Sequence, residues 1–385
     1  MTNFWNLIKK KISNENGILS IGFSDILGSG LSSVFWLYLA SSIKPEEYGE
    51  IHYFLSIAGM AQVFSMFGSS QVITVYTAKK EEIQSTLFLL SIIPSVISSV
   101  FIIIIFNKID AGFLVLGYVI FESVNSVLLG RKFYRKYAKI VIIQKALTLA
   151  LGVSFLQFFG PEGIIFAIVL TFVPHLTIYL KEFKKTKINF SLLISKKKFI
   201  INNYLMNISN GFGGQIDKVI LAPLLGFVLL GNYSLALQIF SILIMFSTII
   251  FKFILPQDAS GISNKKLKIY TIIVSIIISI LGIVILPKII TEFFPKFLDA
   301  IDAIPIMSIA VVPEAITIIY VSKMLGKEKS KFILIAKLID TGIVISGFII
   351  LGPIYGIIGL AWVMVAAVSS QTIFLIIMDK LNRNE

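Results

Sequence analysis

Long apolar runs separated by short polar gaps occupy the chain from residue 20 to residue 378. A helix needs about 20 mostly apolar residues to cross the hydrocarbon of a bilayer. That ruler predicts twelve spans: 20–43, 51–76, 83–106, 111–130, 139–159, 163–180, 199–226, 231–256, 267–290, 301–324, 332–351 and 356–378. The gaps are brief, such as "KPEEYGE", "NKID", "GPEG" and "GPIYG"; the longest is "KEFKKTKINFSLLISKKK", after the sixth span. The expected fold class is therefore an all-α membrane protein.

Polar positions inside the spans follow helical spacing. Ser24, Gly28 and Ser32 recur every four residues in the first span and form one ridge of small side chains. Such a ridge lets helices approach closely, so it faces protein rather than lipid. The seventh span repeats it as Ser209, Gly213 and Asp217, at an offset of 185. Further matches pair Tyr48 with Tyr233 and Ser56 with Ser241 at the same offset, Gly130 with Gly326 at 196, and Gly163 with Gly356 at 193. Each half carries six spans, an even number, so both halves enter the membrane from the same side. Parallel repeats of this kind imply two six-helix lobes related by an axis along the membrane normal, with a substrate route between them and alternating access by rocking. The expected organisation is an interfacial segment at 1–19, an N-lobe at 20–180, a linker at 181–198, a C-lobe at 199–378 and a tail at 379–385.

Composition agrees with a membrane protein: 56% of residues are hydrophobic, 14% are charged, and mean hydropathy is +0.91. Soluble chains run at about 45–50% apolar and about 25% charged. A net charge of +13 raises the question of nucleic acid. The basic residues lie in the short gaps, however, where they act as topology determinants facing anionic lipid headgroups. With the N-terminus inside, 26 Lys/Arg fall in the termini and even-numbered connections and 4 in the odd-numbered ones. This bias predicts a multi-pass cell-membrane protein with both termini cytoplasmic, and excludes nucleic acid as the partner.

The absence of cysteine removes disulfide, thiolate and Cys-ligated metal chemistry. His52 and His175 are far apart and supply no metal-ligand spacing, and no cofactor is expected. The N-terminus has no short apolar core with a small-residue cleavage site, so no removable signal peptide is expected. Its "FWNLIKKKI" suits a helix lying in the interface.

Charge within the spans marks the candidate chemistry, because an unpaired charge in hydrocarbon is costly. Asp217 and Lys218 stand side by side in the seventh span, whose start, "NNYLMNISNGFGGQ", suits a hydrated cavity wall. Helix neighbours point about 100° apart, so each is expected to find its own partner or water. Lys145, Lys252 and Lys337 lie about one turn from a cytoplasmic end, where a lysine can snorkel to the headgroups. Lys337 and Asp340, three apart, are placed to pair. Glu122 and Glu314 sit deep in the fourth and tenth spans, roughly repeat-equivalent, and Asp25 sits beside the first ridge. A structural hydrogen bond and an ion-coupling role are both open to these three. Pro305 and Pro313 should kink the tenth span.

With these residues in place, the chain resembles the polysaccharide-export (Wzx-type) flippases of the multidrug/oligosaccharidyl-lipid/polysaccharide exporter superfamily. The resemblance rests on "PEEYGE", "QIDKVILAPLLG…LGNYSLALQ", "LPQ", "MLGKEK" and "LGPIYGIIGLAW", in that order over nearly the whole chain. It implies a V-shaped, MATE-like bundle of twelve helices with a cationic cavity. It also implies translocation of a polyprenyl-pyrophosphate-linked oligosaccharide to the outer leaflet for surface polysaccharide or O-antigen synthesis, with glycan polymerase machinery as a further partner. The Asp217–Lys218 pair matches a recurring acidic–basic pair of that family. No arginine lies in any span, so lysine is the point charge available for phosphate. The substrate-binding candidates are Lys218, then Lys145 and Lys337. Asp217, Glu122, Glu314 and Asp25 are candidates for an H+ or Na+ coupling site.

Other readings stay in view. A multidrug or cation antiporter of the same superfamily would favour acidic and aromatic cavity residues over lysine. Lipid II flippases usually carry two further C-terminal helices. A membrane glycosyltransferase or polymerase needs sizeable extramembrane loops with paired carboxylates or arginines, whereas the longest outer connection, "TEFFPKFLDA", has about ten residues. The chain is therefore expected not to be an enzyme.

Overall fold

The computed structural model describes Gly22 and residues 24–67, 69–260, 264–327 and 329–381. The interfacial segment expected at 1–19, the tail beyond 381 and the side chain of Ser209 lie outside the described residues. Those that are described are almost entirely helical and form no strand. Among them, seventeen helices follow one another. They are α1 (24–42), α2 (Pro45–Ser65), α3 (Ser70–Ala78), α4 (Gln84–Phe106), α5 (Ile109–Gly130), α6 (Tyr134–Phe159), α7 (Gly163–Leu170), α8 (Val173–Phe183) and α9 (Phe190–Ser195). There follow α10 (Lys197–Gly213), α11 (Ile216–Leu243), α12 (Met245–Ala259), α13 (Lys265–Val284), α14 (Leu286–Phe293), α15 (Leu298–Ile309), α16 (Val311–Gly326) and α17 (Ser330–Leu381).

Among the described residues, six helices are long and apolar enough to cross a membrane, and nine if each of three bent pairs is one span. The chain is a multi-pass membrane protein. The bent pairs are α2 with α3 (46°), α7 with α8 (41°) and α15 with α16 (43°). The last lies between Pro305 and Pro313, where the kink was expected; Pro313 falls in the first turn of α16, where its missing N–H costs nothing. Pro174 opens α8 in the same way.

Two elements contain a reversal. Gly226 (φ 82°, ψ 169°) divides α11 and Gly356 (φ 56°, ψ −138°) divides α17, in backbone regions that side chains other than glycine rarely enter. Each follows a proline by three residues, Pro223 and Pro353. Behind Gly356 the arms meet closely enough that a Cβ on Gly347 would lie 2.5 Å from Val363.

The two halves share a solvent logic that is the reverse of a soluble protein's. In α4 the buried side of the helix carries Ser91, Ser95 and Ser99, while Ile97, Phe101 and Ile104 are exposed. In α13 the buried stripe is Thr271, Ser275, Ser279 and Gly282, with Ile269, Ile277 and Ile280 outside. Lipid solvates isoleucine as well as a protein core does, so packing selects small residues that admit close contact and hydrogen bonds. Ser279 duly donates to the Ser308 carbonyl (2.7 Å), and Ser247 and Ser275 hydroxyls meet at 3.1 Å.

The contact pattern divides the chain into two compact units. One comprises residues up to Phe35 with Phe54–Gln215; the other comprises Trp36–Tyr53 with Ile216 onward. In the first, the Ser24–Gly28 ridge faces protein as expected: Ser24 is fully buried, and a Cβ on Gly28 would touch Val141 and Lys145 of α6. In the second, Gly49 and Gly231 are placed where any side chain would strike the carbonyls of Phe227 and Pro45.

Matching ion pairs close the helix ends in each unit. In the first, Arg131, just after α5, pairs with Glu182 of α8. In the second, Lys323 of α16 pairs with Asp379 of α17 at 2.5 Å. Both carboxylates are buried, and both pairs tie the fourth predicted span of a half to its sixth. The repeat thus extends from glycines to charges.

Candidate functional site

The second unit gathers most of the predicted charges. Asp217 and Lys218 open α11, and Tyr233 lies on its returning arm. Tyr233 donates its hydroxyl to Asp217 Oδ2 at 3.2 Å. Lys218 Nζ lies 3.4 Å from both Asp217 carboxylate oxygens. This corrects the expectation that helix neighbours cannot neutralise one another: a four-carbon stem folds back far enough to bring the ammonium to the adjacent carboxylate. Both side chains are largely covered, at 16% and 13% exposure.

The second pair forms as the spacing predicted, with Lys337 Nζ 2.6 Å from Asp340 Oδ2. Asp340 lies within electrostatic reach of Tyr233, so two Asp–Lys pairs flank a single buried tyrosine. The Tyr233 ring is held edge-on against Phe348 (5.4 Å). Glu314, in the first turn of α16 beyond the bend, falls within reach of Lys337 and Asp340. Lys218 in turn lies within electrostatic reach of His52, whose ring contacts Trp36 (4.7 Å) and Tyr48 (4.5 Å). The structure therefore brings together Asp217, Lys218, Lys337 and Glu314.

Lys145, Glu122 and Asp25 belong to the first unit. The stem of Lys145 lies 3.5 Å from where a Cβ on Gly28 would stand. Glu122 lines a cavity of about 450 Å³ with Ser70, Gln71, Thr74, Phe121, Asn125 and Tyr137. Glu122 and Asp25 both act electrostatically on Tyr137. A second cavity, about 410 Å³ in the other unit, is lined, among the described residues, by apolar ones that include Ile242, Phe246 and Leu281.

Sequence reasoning overlooked Tyr233 and Asn125. Tyr233 was visible as the repeat partner of Tyr48, but its bond to Asp217 depends on the reversal at Gly226. Among the described residues, no cluster of three or more His, Asp or Glu is arranged to hold a metal ion.

No family model matches the chain, and no curated protein does. Solved structures do match. An inward-facing multidrug resistance MATE family transporter of the MOP superfamily aligns with a TM-score of 0.70 at 15% identity, over 92% of this chain and 93% of that one. The lipid II flippase MurJ, in an inward closed conformation, aligns at 0.71 and 15%, over 94% of this chain and 87% of that one. The MATE multidrug transporter DinF-BH aligns at 0.68 and 15%, over 96% and 95%. The chain has the fold shared by these MOP-superfamily transporters and flippases. All three are described as transporters or a flippase.

Proposed function

We propose that this chain is a flippase that carries a polyprenyl-(pyro)phosphate-linked oligosaccharide from the cytoplasmic to the outer leaflet for surface polysaccharide synthesis. It works by alternating access of two six-helix lobes (20–180 and 199–378), with twelve spans, a linker at 181–198 and both termini in the cytoplasm. The observation that carries this reading is the pair of lysines in one unit, Lys218 and Lys337, each held by its own aspartate about Tyr233. A sugar-pyrophosphate headgroup cannot cross hydrocarbon without replacement of its solvation. An arriving pyrophosphate, an anionic acceptor of the same charge-assisted kind that carries more charge than one carboxylate, can compete with each aspartate for its ammonium. Lys145, in the first unit, is a further candidate phosphate ligand. The released carboxylates, with Glu314, are then free to accept H+ or Na+, which would couple headgroup binding to a cation. The likeness to MurJ supports the fold this requires.

A second reading, a multidrug or cation antiporter, draws support from the MATE neighbours and from the acidic cavity at Glu122. One experiment separates the two. Proteoliposomes holding the purified chain are loaded with a fluorescent polyprenyl-pyrophosphate sugar or with a fluorescent organic cation. The flippase reading requires that the glycolipid, and not the cation, gains access to the opposite leaflet. Cation movement without glycolipid movement supports the antiporter instead.

A further inference from the structure

The cavity walled by α3, α5 and α6 has a chemistry of its own, unlike that of the lysine pairs. Thr74 has spent its proton on the carbonyls of Ser70 (2.8 Å) and Ser126 (3.2 Å), and Ser126 has spent its own on the carbonyl of Glu122 (2.7 Å). Towards the cavity these hydroxyls offer lone pairs only. Asn125 lines the same space, is 5% exposed, and has a buried Oδ1 that accepts no hydrogen bond. A buried acceptor without a donor is costly to maintain. The Glu122 carboxylate, also on this wall, is an acceptor when ionised. Among the described residues, no Lys or Arg lines the cavity.

A largely apolar wall that carries one carboxylate and, among its described residues, no Lys or Arg calls for a partner that carries positive charge. The size of the space narrows the class. At about 450 Å³ it is of ligand-pocket dimensions, far beyond a bare ion. Phe121 and Tyr137 add ring faces of the kind that attract an ammonium or stack on a sugar. We propose that the cavity built by Glu122, Asn125, Thr74, Ser126 and Tyr137 is a recognition pocket for a protonated amino sugar. On the flippase reading, this names a substrate class: a carried glycan that bears at least one free amine.

The test is direct binding by the full chain in nanodiscs of zwitterionic lipid, read as the shift in thermal unfolding. The probe is glucosamine at mildly acidic pH, where its amine is charged; N-acetylglucosamine and sodium chloride at matched ionic strength are the comparisons. Glucosamine should raise the unfolding temperature in a saturable way. Glu122→Gln, which removes the charge but keeps the shape, should weaken the response about tenfold, as loss of one charge-assisted bond implies. Asn125→Leu should weaken it too and supplies a second variant should Glu122→Gln fold poorly. An equal response to N-acetylglucosamine overturns the ammonium, and an equal response to sodium replaces the amino sugar with an inorganic cation. No response, or one that neither variant changes, overturns the pocket. Because no transport is measured, glucosamine binding by a chain that moves no glycolipid would refute the flippase reading and leave the pocket standing.

Discussion

Tyr233 donates to Asp217 across 3.2 Å, although sixteen residues and the reversal at Gly226 separate them in the chain. The repeat partner of Asp217 is Ser32 and that of Tyr233 is Tyr48, whose buried hydroxyl has no hydrogen-bond partner. Only the second half has turned this juxtaposition into a charged site. The tyrosine fixes one carboxylate oxygen, which leaves the aspartate able to hold Lys218 without leaning on it alone.

Removing that carboxylate should therefore expose two deficits at once. Asp217→Ala leaves a covered ammonium and a buried phenol without their acceptor, at a cost of about 1–3 kcal/mol. A lowered thermal midpoint of the purified chain is the expected result. Adding Tyr233→Phe to that variant should cost little more, because the phenol has already lost its partner. An additive loss would show that Tyr233 works elsewhere.

The reversal itself can be tested. Gly226 has φ 82° and ψ 169°, a region essentially reserved for glycine, and no atom lies within 4 Å of where its Cβ would stand. Gly226→Ala should thus destabilise by strain alone, about 1–3 kcal/mol, with no steric clash. Gly30→Ala, which also has open space around its Cβ and no positive φ, is the control and should be nearly silent. Equal midpoints for the two variants would refute the strain.

The ion pair between Lys323 and Asp379 ties α16 to α17, and the aspartate is 1% exposed. Asp379→Ala should cost about 1–3 kcal/mol, because it leaves the partly covered Lys323 ammonium without its acceptor. Replacing both partners by apolar residues of similar size should recover much of that loss, since the penalty lies in the orphaned charge. Urea or heat denaturation of the single and double variants reads the difference directly.

The helices were legible because apolar runs of membrane-spanning length leave little choice of structure. The bend at Pro305–Pro313 and the Lys337–Asp340 pair were legible because each is set by residues within one or two turns of each other. Asp217 and Lys218 were recognised as important, but their mutual contact was missed. Backbone angles describe where a Cβ points, not where a lysine ammonium can reach. The buried pairs at Glu182 and Asp379 went unnoticed because their partners are about fifty residues away in the chain. A lysine in a polar gap reads as an orientation signal until its carboxylate is found. Asn125 was illegible for a similar reason: its unpaired oxygen is defined by what the hydroxyls around it have already bonded.

The central claim is that Lys218 meets the phosphate of a carried headgroup, and one rate tests it. The measurement is the initial rate at which a fluorescent polyprenyl-pyrophosphate sugar becomes accessible in the opposite leaflet of proteoliposomes, comparing wild type with Lys218→Ala at equal protein content and matched thermal stability. Loss of one charge-assisted phosphate contact predicts a rate lower by about tenfold or more. An unchanged rate in Lys218→Ala would contradict the account.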